Sequence, residues 1–334
     1  FAVGSAMVAV APSLPFLVAS RVVQALGGGA TIPIGLALVT GALPPTKRAL
    51  AVGIVGAAAE AGVVVGPLYG GGLTATLDWR LVFWLNLPLV AGLLWATRRL
   101  PESRDPDARV DYVGGLLLAA GLALVVTALS MRGAFTGASP VPYALGAVGL
   151  LALAAMALVE ARSRHPLLTG LLFRSRAALS AMATKLLVGA ALMVAMVTVP
   201  LMADTVLGQS PLEGGLRLMR MTAALPFGAL LGGFLAYRVG SRAVTIAGLA
   251  AAATGLFLMS GWGLDIADPR LTAHLALTGL GFGLVIAPIF ATALDAAGSG
   301  YQATSASLVV VARMMGMALG MAALSAWGME HFQG

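Results

Sequence analysis

Long apolar stretches separated by short polar segments recur along the whole chain, at about 16–40, 49–73, 80–97, 112–130, 141–159, 177–202, 213–236, 243–261, 271–294 and 303–328. Each reaches roughly 18 residues or more, enough for a helix to cross a hydrocarbon core about 30 Å thick. Lipid offers no partner for unpaired backbone groups, so such stretches must close their hydrogen bonds internally as helices. Residues 1–11 read as the tail of a further span. The pattern predicts an all-α polytopic membrane protein.

Composition strengthens this reading: 59% of residues are hydrophobic and 10% charged, against about 25% charged in a soluble domain. There is no cysteine, and the three histidines, His165, His274 and His331, are scattered, so no disulfide and no metal-binding cluster is expected. The net charge of +7 is topological and does not point to nucleic acid. Alternate connections carry Lys47 and Arg48; Arg98, Arg99, Arg104 and Arg109; Arg162, Arg164, Arg174 and Arg176; and Arg238 and Arg242. The intervening loops hold mainly Arg80, Arg132 and Arg270. Twelve basic residues against three place the first set of loops in the cytoplasm by the positive-inside rule. The expected location is the inner (plasma) membrane of a bacterium. High Ala, Gly and Arg with little Lys fits a GC-rich genome.

Within the apolar spans the polar exceptions stand out. Glu60 has no other formal charge between Arg48 and Asp78. An ionisable group at that depth costs several kcal/mol and is by default a functional candidate. Its bland reading is a static ion pair. Immediately after it, Gly62, Gly66 and Gly70 recur every four residues and line one helix face, where a second helix can approach closely. Pro67 removes a backbone hydrogen bond and invites a kink, and Gly71 extends the motif. Arg313, alone among Val and Met, must face the bundle interior or a partner. Lys185 reads as a residue near a cytoplasmic helix end that snorkels to the interface.

Two regions align at an offset of 254 residues: Gly27 with Gly281, Gly29 with Gly283, Gly62 with Gly316, and Gly66 with Gly320, while Pro33 and Pro288 miss by one. Met314 is then the counterpart of Glu60. The paired helices run in the same direction, so the repeat is parallel. Three parts are expected: a first bundle at 1–97, an inserted helix pair with its linkers at 98–165, and a second bundle at 166–334. The offset also leads to the expectation that the chain lacks about two and a half helices at its start and one at its end.

These residues carry a resemblance. The run Gly62-Val-Val-Val-Gly66-Pro67-Leu-Tyr-Gly70-Gly71 resembles the antiporter motif in the fifth helix of the fourteen-helix drug:proton antiporters, a branch of the major facilitator superfamily. Arg21-Val-Val-Gln24-Ala-Leu-Gly27-Gly28-Gly29 resembles the fourth-helix motif, whose arginine is implicated in proton coupling, with Ala25 in place of a glycine. Asp78-Trp79-Arg80 through Asn86-Leu-Pro88 is similar to the start of the sixth helix. Gly233-Phe-Leu-Ala-Tyr237-Arg238-Val-Gly240-Ser-Arg242 resembles the cytoplasmic gating loop, with Tyr237 where an aspartate is usual. The resemblance implies the major facilitator fold, two parallel-repeat bundles with an inserted helix pair. It also implies that the helix of Glu60 packs across the interface against the helix starting near Pro211. Arg220 stands there where proline is common. Glu60 lies about 16 Å from the cytoplasmic end of its helix and Arg220 about 10 Å from the outer end of its own, so similar depths make Arg220 the expected partner of Glu60. Arg217 and Arg313 are further candidate charge partners between the halves.

The function implied is proton-coupled efflux of hydrophobic or amphiphilic compounds by alternating access, with Glu60 and Arg21 handling protons. No cofactor is expected, because no phosphate loop follows the glycine runs and an ion gradient supplies the energy. Sparse charge suits apolar drugs or lipids, so an exporter of lipids or envelope precursors is the alternative. A non-transporting scaffold or sensor with an envelope partner protein is the alternative of another class. No enzyme signature is present, and a channel is disfavoured because no row of like polar residues recurs.

Overall fold

The computed structural model describes residues 1–98, 111–131, 139–162, 175–208, 210–263, 266–297 and 301–332. Within these residues the chain is helical, in the order α1 (Ala2–Ala9), α2 (Leu14–Gly29), α3 (Thr31–Ala42), α4 (Pro45–Thr76), α5 (Arg80–Thr97), α6 (Tyr112–Ser130), α7 (Val141–Arg162), α8 (Arg176–Thr205), α9 (Pro211–Val239), α10 (Ser241–Ser260), α11 (Asp268–Leu284), α12 (Ile286–Ala297) and α13 (Gln302–Phe332). Among the described residues nine stretches are long and apolar enough to cross a membrane. The expected span at 49–73 lies in α4, where the apolar stretch is Leu50–Gly66. Helix starts follow local chemistry. Ser175 caps α8 by accepting from the Ala178 amide at 3.3 Å, and Ser210 with Glu213 forms a capping box at α9. Between α9 and α10 the chain turns at Gly240 alone, with φ of +90°, a backbone state that glycine adopts without penalty.

Two expected spans are broken. The span at 16–40 becomes α2 and α3, interrupted at Ala30, and the span at 271–294 becomes α11 and α12, interrupted at Val285. Proline explains both. A helical proline clashes with the carbonyl four residues earlier. Pro33 therefore ends α2 at Gly29, and Pro288 ends α11 at Leu284. Each helix restarts alike, with the Ile34 amide on the Ala30 carbonyl at 3.1 Å and the Ile289 amide on the Val285 carbonyl at 3.2 Å.

The repeat reaches side-chain contacts. Gln24 donates to Ser5 at 2.8 Å between α2 and α1. Adding 254 gives Thr278 and Met259, and the Thr278 hydroxyl meets the Met259 sulfur at 3.5 Å between α11 and α10. Helices α6 and α7 pack on each other, and α6 touches α13.

The main buried core lies where α4, α8, α9, α11, α12 and α13 converge, around Val52, Leu192, Met221, Leu225, Phe282, Ile286 and Val309. The first five helices meet the last six through α4 on α9 and α12, and through α3 on α13. The closest approach uses different glycines from those expected. A methyl on Gly53 would sit 2.9 Å from the Gly233 Cα, and one on Gly56 would sit 2.8 Å from Ile286 Cγ2. At Gly62 and Gly66 it would meet nothing within 4 Å. Among the described glycines, the α4–α9 contact is therefore made at Gly53, before Glu60 in the chain, and not at Gly62 or Gly66.

Candidate functional site at the interface between the helix groups

Glu60 projects from α4 and is 3% exposed. Its partner is Arg313, from the middle of α13. Arg313 Nη1 donates to Glu60 Oε1, and Arg313 Nη2 donates to Oε2 at 3.2 Å. This two-bond fork matches the planar guanidinium to the carboxylate, the strongest geometry for such a pair. The pair crosses from the first helix group to the second. Taking two charges out of water costs several kcal/mol each, repaid only when the geometry is good, and removing one partner then costs about 3–5 kcal/mol.

The expected pairing of Glu60 with Arg220 is corrected. Arg220 Nη1 donates to Asp268 and to Thr272, each at 2.7 Å, so it ties α9 to α11 inside the second group. Matching depth was not enough, because a side chain also needs the right helix face. Arg217 makes no bond across the interface either; its Nη1 is buried without a hydrogen-bond partner among the described residues.

Lys185 is a second correction. It does not snorkel. It is 1% exposed on α8, the largest side chain among those almost wholly buried, with its ammonium 5.3 Å from the Phe290 ring centroid. The charges acting on it are Arg313 and Glu60. Lys185, Glu60 and Arg313 line one cavity of about 70 Å³. The rest of its wall is apolar, with Ile32, Leu36, Val52, Ile286, Phe290 and Val310 among its residues. That space is worth a few water molecules, far below the volume of a lipid. The signal for Lys185 in the sequence was present but weak: it lies nine residues into an apolar helix, a depth that both a snorkelling and an inward lysine satisfy.

Other candidates lie elsewhere. Arg21 donates to Gln24 at 2.9 Å and rests 4.9 Å from the Phe83 ring, forming with Ser5 a polar chain inside the first group. A methyl on Gly27 would collide with Phe1, the residue before α1, while Gly29 has free space. Gly233 lies in the α4–α9 contact. Arg238 rests over Phe234 at 5.0 Å, and Arg242 lines a separate cavity between α8, α10 and α12. Pro67, Gly70 and Gly71 fall in the last part of α4, and their side-chain surroundings lie outside the described residues.

A multi-pass helical membrane protein, with repeated broken helices and a buried charge site between two helix groups, is what the fold and site define. Residues 1–321 match the Major Facilitator Superfamily, and the chain belongs to that family. It is similar to a triacylglyceride transporter of Mycolicibacterium hassiacum, 41% identical over 99% of this chain and 65% of the relative. A triacylglyceride transporter of Mycolicibacterium smegmatis is 40% identical over 99% of this chain and 62% of the relative. One of Mycobacterium tuberculosis is 39% identical over 99% of this chain and 68% of the relative. The chain thus spans a little under two thirds of the first two relatives.

Proposed function

We propose that this chain belongs to a secondary transporter that exports a neutral, strongly hydrophobic lipid of the triacylglyceride class across a bacterial plasma membrane. The relatives' names favour the lipid alternative over drug efflux. The observation that carries the reading is the Glu60–Arg313 fork, a buried ion pair joining the two helix groups in an apolar wall. Such a pair acts as a latch: intact, it holds the groups together around a void too small for lipid; broken, it lets them part. Alternating access needs such a bistable contact near the midplane. The latch couples to a proton gradient through the charge state of its own site. Arg21 and Gln24 shape the first group without touching the latch.

The test is reconstitution of the purified protein in vesicles under an inward proton gradient, following a fluorescent triacylglyceride and a lipophilic cation. Lipid movement that depends on the gradient and is lost in Glu60→Gln supports the reading. Movement of the cation alone restores drug efflux, and movement of neither rejects transport in favour of a partner-binding role.

A further inference from the structure

We infer that Lys185 is the residue that carries the coupling proton, with Glu60 remaining a carboxylate throughout. The inference rests on the latch reading above and names the group that titrates within it. Three ionisable side chains share the cavity: Glu60 from α4, Arg313 from α13 and Lys185 from α8. Both oxygens of Glu60 are engaged by the guanidinium, one bond to each, and the proposal leaves that fork intact. Arginine does not lose its proton in proteins. Lys185 has no such fork; its ammonium faces the Phe290 ring at 5.3 Å, a weak cation–π contact that a neutral amine can leave at little cost.

Among the described residues, the charges acting on Lys185 are those of Arg313 and Glu60. Helix α13 brings Arg313 and α4 brings Glu60. Helix α12 presents Phe290, and its Asp295 is exposed further along. Helix α9 carries Glu213 and Arg217 in its first turns and Arg238 in its last; Glu213 bonds Ser210, and Arg220, deeper in the helix, is turned to Asp268 and Thr272.

Lys185 and Arg313 stand on the same helix group, and Glu60 on the other. In the closed arrangement one carboxylate sits among two cations and attracts both. When the groups part, the carboxylate leaves with α4, and two like charges remain together in an apolar wall. A protonated Lys185 therefore favours closure, and a neutral Lys185 permits opening. The sign is opposite to that of a proton on Glu60, which would weaken the fork and open the latch in acid.

The chain has no cysteine, so spin labels can be placed at Lys47 and Ala243, exposed positions on the two groups. Distances are measured in lipid nanodiscs from pH 6 to 9. In the wild type the closed fraction should rise as pH falls, by up to about tenfold in the closed-to-open ratio per pH unit for a single linked proton. Lys185→Arg, permanently charged, should stay closed across the range, and Lys185→Met, permanently neutral, should stay open. Opposite, pH-insensitive shifts are a result that a merely space-filling lysine would not produce. Opening in acid, no pH response in the wild type, or a full response surviving in Lys185→Arg overturns the inference. Should Lys185→Met fail to fold, Lys185→Arg alone decides. The distance measurement is independent of substrate, so failure of lipid export in vesicles rejects the transport reading separately.

Discussion

Helices α4 and α13 occupy equivalent places in the repeat, and the same glycine spacing has opposite consequences in them. In α13, a methyl on Gly316 would lie 1.9 Å from the Leu186 carbonyl oxygen, and one on Gly320 would lie 2.4 Å from the Ala190 carbonyl oxygen. Those glycines let α13 press its backbone onto α8. In α4, a methyl on Gly62 or Gly66 would meet nothing within 4 Å, and among its described glycines the close contacts are at Gly53 and Gly56 instead. Small residues four apart create a capacity for close approach; which stripe is used depends on the neighbour. The charges follow the same asymmetry. Glu60 on α4 is answered by Arg313, one residue before its own repeat counterpart Met314, so the latch joins the two equivalent helices to each other.

The comparison can be broken most severely at the latch. Arg313→Met should cost about 3–5 kcal/mol by leaving Glu60 buried and unpaired, read as a large drop in the unfolding temperature in detergent. The double variant Glu60→Gln with Arg313→Met should recover much of that loss, because a pair removed together leaves no orphaned charge. An equal loss in single and double variants would mean that the fork contributes nothing specific. Next in size, Gly316→Leu should destabilise by roughly 1–3 kcal/mol through overpacking against α8, whereas Gly62→Ala should be neutral or stabilising by up to about 1 kcal/mol, since alanine is the better helix former. Thermal melts of the two variants side by side test whether the equivalent glycines differ as the packing requires. The smallest effect is expected at Arg220→Gln. Its partner Asp268 is largely exposed, so the cost should lie within about 1 kcal/mol, with gradient-driven lipid movement unchanged. Loss of transport there would return Arg220 to the coupling machinery.

Much of the architecture was legible because membrane helices obey a strong one-dimensional rule: roughly 20 apolar residues span, and their backbone must satisfy itself. The breaks at Ala30 and Val285 were also written in the chain, in Pro33 and Pro288, although they were read there as positions in a repeat and not as helix ends. Glu60 was legible as an isolated carboxylate in an apolar span, and Arg313 as an isolated cation. Their pairing was not. Depth along a helix follows from counting residues, but azimuth depends on how each helix is rotated against its neighbours, so Arg220 at a similar depth turned to Asp268. Lys185 failed for a related reason. A lysine about two turns inside a helix can extend to the interface or inward, and only the presence of Phe290, Arg313 and Glu60 on the facing helices decides between them.

The sequence by itself determined the helical spans, their punctuation by proline and glycine, the parallel repeat and the existence of buried charges, because each depends on chemistry local to one helix. The tertiary structure alone decided which glycines bear a neighbouring backbone, which arginine meets Glu60, and that Lys185 is enclosed with them. Those outcomes depend on the relative rotation of helices far apart in the chain, set by summed packing over the whole core, and no local pattern carries that information.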